Sequence, residues 1–389
     1  MEKQICDLCK CKDSLLNYYR PIKSQRGAEV FICKSCLLIQ TKYNLYSCQK
    51  SSIRKTISTD ANWGNIRHGK GIRFADAKLY LDPILDEYNP NNILDIGSNR
   101  GDFIKYISKK NYVKFICGIE PDKNLKNEYI NLLNNSKIKI IWDKFENINT
   151  LKKYDFIYSC QTLEHALSAD EMIKKSYQLL NNNGLMYIEV PEVNIIQDQR
   201  GIEEYFIDKH SFHFSLNSLI NLANKNGFEV LKDFNSDKYN VKLLFKKGLK
   251  KDNTPKDDLN SMLIKIDQYK KIIPRNRKIL REIVRTKLSP LAKKQKVAYW
   301  GANRIFDSLV KYGNLSLDDV FMLVDNYMYG KLDSSNGFKI EHPDYLRIKE
   351  PNVCVILARS SEEYLAKVAY EMGIRHILKY SEIFDQIHL

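Results

Sequence analysis

The sequence lacks any apolar stretch near the ~18 residues that a membrane helix requires. Its first ten residues, MEKQICDLCK, carry no apolar core of a secretory signal, so a cytoplasmic protein is expected. No short-period repeat and no low-complexity tract interrupts it. Acid is in short supply: 47 Asp and Glu stand against 62 Lys and Arg, a formal net charge of +15. That balance suits an anionic partner. The lysines are spread along the whole chain, and there is no interleaved basic and aromatic patch and no RNA-binding motif. The expected partner is therefore an anionic small molecule rather than nucleic acid or a membrane surface; the oligomeric state stays open.

With 389 residues, 43% hydrophobic and 11% aromatic, the chain is globular and long enough for two or three domains. Four segments can be read. Residues 1–50 are Cys-rich and loop-like. Residues 51–248 begin with a basic leading stretch that ends in a helix, ADAKLYLDPILDEY, and then alternate strands and helices. Residues 249–294 are Lys-rich and helical, broken by Pro255 and Pro274. Residues 295–389 alternate strands and helices again.

In the second segment the apolar runs 92–97, 114–121, 137–142, 154–160 and 184–191 read as strands buried on both faces, with helices such as SADEMIKKSYQLL between them. This predicts an α/β fold with a parallel, doubly wound, Rossmann-like sheet. Runs 227–234 and 239–246 have no helix between them and predict an antiparallel edge pair. Runs 296–304, 319–326, 352–358 and 374–380 predict a second, smaller Rossmann-like α/β domain at the C-terminus.

The most informative turn is ILDIGSNRGDFIKYI. A buried strand ends at Asp95, and Gly97, Ser98, Asn99 and Gly101 lead into a helix. Small residues there let the backbone pass close to a ligand at the carboxyl end of the strand. Asn99 replaces the middle glycine of a dinucleotide G-x-G-x-x-G, which argues against a pyrophosphate site. Glu120 in CGIEPD ends the next strand about 20 residues on, where a carboxylate can accept both hydroxyls of a ribose; Pro121 follows it. Trp142, Asp143 and Phe145 can flank an adenine, and Gln161 and Glu164 follow the fourth strand in YSCQTLEHAL.

Cys6-x-x-Cys9 and Cys33-x-x-Cys36 are separated by 23 residues. In a chain with no visible secretory signal, two such pairs read as metal ligands rather than disulfides. Four thiolates can surround Zn²⁺ tetrahedrally at ~2.3 Å, which makes a closed structural site. Cys11 is a spare thiol that can stand in for Cys9.

The turn D-I-G-S-N-x-G, the I-E-P strand end, the T-L-E-H segment and LLNNNGLMYIEVP occur in the order seen in class I S-adenosylmethionine (SAM) dependent methyltransferases, which the sequence resembles. The resemblance implies that the Gly turn cradles the methionine part of SAM, that Glu120 holds its ribose, and that the Leu-Glu-His segment passes near the methyl donor. The four-Cys segment, the helical spacer and a C-terminal domain opening with Y-x-G-A resemble more closely the zinc-containing sugar C-methyltransferases of deoxysugar biosynthesis. Those enzymes act on nucleotide-linked keto-sugars. The likeness is close over 1–40, 91–125 and 154–230 and loose beyond 295.

In that family the active-site stretch reads Y-H-E-H-x-x-Y-F-S, and a His removes a proton next to the sugar carbonyl. The matching stretch here is Ile207-Asp208-Lys209-His210-Ser211-Phe212-His213-Phe214-Ser215. His210 falls on the last His, while the Tyr, the first His and the Glu are absent. His210 is the expected general base, its unperturbed pKa near ~6.5 suiting that work. His165 and His213 are the further catalytic candidates. O-methylation needs only one base and positioning, so the departure opens it beside C-methylation. Methylation of RNA or protein, and a binding protein that has lost activity, are the alternatives.

Two further segments carry expectations. Arg67, His68, Lys70 and Arg73 can hold an anion over the site. In the C-terminal domain, the turn Tyr299–Arg304 can cradle a phosphate and Asp325 a ribose.

Overall fold

The structure, a computed structural model, describes residues 5–43, 72–250 and 258–384, apart from 13, 21–26, 200, 203, 208, 235–238, 331 and 332. The chain divides into two compact units, Met1–Ile196 with Tyr205–Ile266, and Gln197–Glu204 with Asp267–Leu389. No described helix is long and apolar enough to cross a membrane.

The first unit opens with three antiparallel strands, β1 (Leu15–Tyr19), β2 (Ala28–Cys33) and β3 (Ile39–Tyr43). The expected loop-like segment is thus a ribbon. Every residue of β2 is buried, because both of its faces are covered. Helix α1 (Ile72–Tyr88) follows and keeps its course through Pro83. Ala77, Leu81 and Leu85, four apart, are fully buried on its inner face. Then come β4 (Asn92–Ile96), α2 (Asp102–Ile107), β5 (Phe115–Ile119), β6 (Ile138–Ile141), β7 (Tyr154–Cys160), α3 (Ala169–Leu179) and β8 (Leu180–Pro191). The chain continues through β9 (Phe212–His213), α4 (Leu216–Lys225), β10 (Phe228–Asp233) and β11 (Asn240–Lys247).

Seven of these strands form one sheet in the order β10-β11-β8-β7-β4-β5-β6; all run parallel except β11, which is antiparallel both to β8 and to β10, the expected antiparallel pair. One face packs on α1 and α2 through Ile93, Phe103, Phe156 and Tyr187. The other packs on α3 and α4 through Ile157, Met172, Ile188 and Leu219. The chain runs outward from β4 to β5 on one side and to β7 on the other. That reversal opens a crevice at the carboxyl ends of β4 and β7.

The Cys-bearing ribbon does not stand apart from this sheet. Residue Ile39 pairs with His213, joining β3 to β9, and Cys6, Leu8 and Leu38 share the core beneath α3 and α4. Asp7 accepts hydrogen bonds from Ser168 Oγ (2.7 Å) and from the Asp170 amide (3.0 Å) at the start of α3. The described part of residues 1–50, expected as a zinc-binding module, therefore packs within the same unit as the large sheet.

Helix α5 (Leu259–Ile283) carries the chain into the second unit and continues through Pro274, where a break was expected. Proline in a helix interior costs ~3 kcal/mol, and packing offsets it here. Within the second unit Ile272, Ile273, Leu280 and Ile283 are buried, and the fully buried Asn276 donates to the Gln199 (2.7 Å) and Gly201 (2.8 Å) carbonyls. Pro255 lies outside the described residues. The second unit then folds as β12 (Val297–Trp300), α6 (Arg304–Lys311), β13 (Met322–Val324), β14 (Ser334–Ser335), β15 (Phe338–Glu341), β16 (Val353–Ile356), α7 (Glu362–Glu371) and β17 (His376–Leu378). Its sheet order is β14-β15-β13-β12-β16-β17, parallel apart from the β14 and β15 pair, which the sequence reading missed.

Candidate active site and cysteine cluster

The turn after β4 takes the form its small residues permit. Gly97 (φ 77°), Asn99 (φ 49°) and Gly101 (φ 75°) all lie in the left-handed region. Asn99 thus does the conformational work of the absent middle glycine. A Cβ on Gly97 would stand 2.1 Å from Thr162 Oγ1, a side chain anchored to the Ile96 (3.2 Å) and Cys160 (3.1 Å) carbonyls. Gly101 caps α2 without a side-chain hydrogen bond, which leaves the first helical amides unclaimed by any cap.

Glu120 ends β5 beside this turn. Its two oxygens accept from the Asn99 amide (2.7 Å) and the Asp122 amide (2.8 Å). It is buried, and burial pushes its carboxyl up to about 7, against the pull of those two amides. Asp95, one residue before the end of β4, is fully buried, and one of its oxygens has no hydrogen-bond partner. Burial first, then the nearby Glu120 and Asp102 carboxylates, hold its carboxyl well above the usual range. The Tyr129 hydroxyl lies 2.9 Å from Ser98 Oγ and 2.7 Å from the Asn99 carbonyl, so it buttresses the turn from behind.

Pro121, Trp142 and Asp143 line a cleft of about 300 Å³ together with Lys123, Lys144 and Leu167. Trp142 packs edge-on to Tyr129, with ring centroids 5.2 Å apart. Asp143 accepts from Asn147 Nδ2 (2.8 Å) and the Lys144 amide (2.7 Å), and the Asn147 bond first, then that amide, lower its carboxyl pKa. Phe145, expected beside them, is buried under Lys175 instead of lining the cleft.

A cradle of amides, a buried acid with an orphaned oxygen, a carboxylate at the next strand end and a cleft that pairs Trp142, Pro121 and Leu167 with polar side chains fit an amino-acid-bearing nucleoside. Asp95, Gly97, Ser98, Asn99 and Gly101 would surround its amino-acid part, Glu120 its ribose, and Pro121, Trp142 and Asp143 its base.

Gln161 (φ 52°) donates from Nε2 to Asn240 Oδ1 (2.9 Å) and so turns toward strand β11. Glu164, expected among the cofactor contacts, is buried beside His165, with 3.7 Å between its Oε1 and the ring Nε2. His165 donates from Nδ1 to the Lys209 carbonyl (2.9 Å), because a carbonyl can only accept. That bond leaves Nε2 with the lone pair in the neutral ring. The rings of His165 and His210 stand 4.7 Å apart, edge to face.

His213 lies on the other side of His210, with ring centroids 6.3 Å apart. It is 1% exposed on β9, within hydrogen-bond distance of Thr41 Oγ1 (2.7 Å) and packed against Phe206. Burial depresses its pKa to about 3, which keeps the ring neutral. Arg67, His68 and Lys70 lie outside the described residues, and Arg73 falls in α1.

Cys6, Cys9, Cys33 and Cys36 come together as one cluster, and Cys11 stands outside it. The Cys6–Cys36 and Cys9–Cys33 Sγ separations are both 3.5 Å. This is far beyond a disulfide bond and close to the ~3.8 Å edge of a tetrahedron with ~2.3 Å arms. Each pair ends in a knuckle: the Lys10 amide donates to Cys6 O (3.0 Å) and the Leu37 amide to Cys33 O (2.9 Å), with Lys10 (φ 58°) and Leu37 (φ 59°) both left-handed. Contacts from Cys36, Cys6 and Ser14 pull the Cys33 thiol well below its usual range, while the Cys33 contact pushes Cys36 up. Four thiols this close cannot all ionise without a cation among them. The donor set therefore fits a thiophilic, tetrahedral ion.

In the second unit the phosphate and ribose positions expected at the β12 turn are taken by the chain itself. Asn303 Oδ1 accepts from the Ile305 (2.9 Å) and Phe306 (3.3 Å) amides. Asp325 accepts from the Ala302 (2.9 Å), Tyr327 (2.8 Å) and Met328 (2.7 Å) amides.

Residues 71–233 match the family described as a methyltransferase domain. No curated protein sequence matches the chain. Among solved structures it is similar to an S-adenosylmethionine-dependent methyltransferase from Clostridium acetobutylicum, with 13% identity over 53% of this chain and 100% of that one and a TM-score of 0.38. It is also similar to the N-methyltransferase NodS from Bradyrhizobium japonicum, with 13% identity over 46% of this chain and 98% of that one and a TM-score of 0.37. By the family match, the chain carries a SAM-dependent methyltransferase domain on a Rossmann-like α/β sheet.

Proposed function

We propose that this protein transfers a methyl group from SAM to an anionic, nucleotide-linked sugar, at oxygen or carbon, with His210 as general base. The observation that carries the base assignment is the placement of His210 against His165, itself in the Leu163–His165 turn that follows β7 next to the Gly turn. SAM, when bound, supplies an electrophilic methyl on a sulfonium. His210 accepts the acceptor's proton as the new bond to methyl forms and the sulfur–methyl bond breaks. His165, oriented by the Lys209 carbonyl, positions the pair. His213, locked to Thr41, fixes the strand that follows His210. The sugar class rests on the resemblance of 207–215 to the sugar C-methyltransferase stretch. The missing Tyr, His and Glu leave one base, which is enough for a hydroxyl acceptor.

The four cysteines are proposed to hold structural Zn²⁺. All four ligand positions are thiolates, so no open position remains for water. The ion would clamp the ribbon whose Asp7 receives the Asp170 amide at the start of α3.

The test is S-adenosylhomocysteine release from SAM across a panel of nucleotide-sugars, 4-keto forms included, beside total RNA. Turnover with one sugar is expected, and the position of the added methyl then separates C- from O-transfer. Turnover with RNA alone overturns the sugar assignment. His210→Ala is expected to retain SAM affinity and lose transfer; a variant that still turns over removes His210 from the mechanism.

A further inference from the structure

The cluster beside the Gly turn has a chemistry that base catalysis does not use up. Glu164, His165 and His210 each offer one donor atom, and the three donors all lie within 4.8 Å of one another. We propose that these three residues form a second metal site, distinct from the cysteine cluster, which takes a divalent transition-metal ion.

Three features support it. The first is the donor set: two imidazoles and one carboxylate match the nitrogen and oxygen ligands of zinc and its neighbours, and the single negative charge suits a divalent ion. Glu164 is 2% exposed, and a buried carboxylate gains most from a cation beside it. The second is orientation. A metal-binding histidine characteristically donates its other ring nitrogen to a carbonyl, and His165 does so to Lys209, which turns Nε2 toward Glu164 Oε1. The third is bracing. The Ser211 amide donates to the Glu164 carbonyl (2.8 Å), which ties together the two turns that carry the three donors, and the His210 amide closes its own turn on the Ile207 carbonyl (3.0 Å).

Zinc arms of ~2.0–2.2 Å need donors ~3–4 Å apart, so closing on an ion requires only side-chain rotation of about 1 Å. Three protein ligands leave the fourth position open. An ion here takes the lone pair that a proton would otherwise take from the acceptor. This consequence rests on the base assignment above: an occupied site holds transfer off. The binding claim itself does not depend on it.

The experiment is zinc titration of the full chain without SAM or acceptor, with bound Zn²⁺ per chain measured after equilibrium dialysis. Wild type is expected to hold one equivalent more than His165→Ala and than His210→Ala, with the cysteine-held equivalent retained in both as evidence that the fold survives. Glu164→Gln, which keeps the shape of the side chain, is expected to weaken the additional equivalent at least about tenfold. Equal zinc content in wild type and all three variants overturns the site. Because no methyl donor or acceptor is present, that result leaves the proposed sugar chemistry untouched, and a failed sugar assay leaves this site untouched.

Discussion

The two units build the same joint and finish it differently. In each, a buried strand runs into a glycine turn and then a helix, and an acid at the end of the neighbouring strand braces the turn. Asn99 donates to Glu120 in one unit (2.7 Å) and Ala302 to Asp325 in the other (2.9 Å). Beyond that brace they part. Helix α2 starts at Gly101 with no side-chain cap, whereas α6 starts at Asn303, which takes two amides at once and also donates to the Leu357 carbonyl (2.9 Å). Asp95 stands one residue before the end of β4, and Tyr299 holds that place in β12. Both acids hold chain amides, but the first joint leaves its helix start uncapped and one Asp95 oxygen without a hydrogen-bond partner, while the second caps its helix with Asn303. A shared fold therefore does not carry a shared site.

The sharpest way to break this comparison is the pair Gly97→Ala and Gly301→Ala. At Gly97 the new methyl would overlap Thr162 at 2.1 Å on a left-handed backbone, so the turn must move away from the cofactor. SAM affinity is expected to fall by ~3 kcal/mol, over a hundredfold. At Gly301 the nearest atoms are at 3.1 and 3.2 Å, and SAM affinity is expected to stay within about twofold even where stability drops. Calorimetric titration with SAM reads both. Equal losses would mean that the second unit takes part in cofactor binding.

The acids come next. Glu120→Ala is expected to weaken SAM by at least ~1.5 kcal/mol, through lost charge-assisted bonds to the ribose. Asp325→Ala should leave that affinity alone and lower unfolding stability by ~1–3 kcal/mol, because three backbone amides lose their acceptor. Unchanged SAM binding in Glu120→Ala removes the ribose assignment.

A smaller and graded effect follows from the Glu120 carboxyl, which burial raises from 4.5 to about 7. Ribose hydroxyls donate to the ionised form, so SAM affinity should fall as pH drops through 7, by up to about tenfold per unit. Stability runs the other way. A folded pKa above the unfolded one means that the folded state binds the proton more tightly. The contribution is therefore full below about 4.5 and lost as pH rises through about 7. Acid should then stabilise the ligand-free first unit while it weakens the cofactor; affinity flat between pH 6 and 8 would count against Glu120 as the titrating group.

What could be read from the sequence was what local chemistry dictates. Gly97, Gly101 and Glu120 announced themselves by position after strands, and the two C-x-x-C pairs by spacing. Thr162 and Tyr129, which shape the turn, were invisible because they reach it only through the folded sheet. Glu164 read as a cofactor contact because of its strand end; only the fold brings His210 to the turn that holds it. The ribbon β1 to β3 was hidden by strands too short for a clear alternation, and α5 by a proline whose cost packing overrides. Asp325 reads as a ribose ligand for the same reason as Glu120, since sequence does not say how many amides a carboxylate already holds: two on Glu120 and three on Asp325.

The smallest effect isolates that last point. Asn303→Ala removes the cap of α6 and its bond to the Leu357 carbonyl, with an expected loss of ~1 kcal/mol in unfolding stability and no change in SAM affinity. The joint at Gly101 offers no such side chain to remove, because its helix amides are uncapped. If those amides face the cofactor, SAM should protect the α2 amides in hydrogen exchange and leave the α6 amides of the wild-type protein unaffected. Protection of α6 by SAM would show that the second joint, despite its own cap, still answers to the ligand.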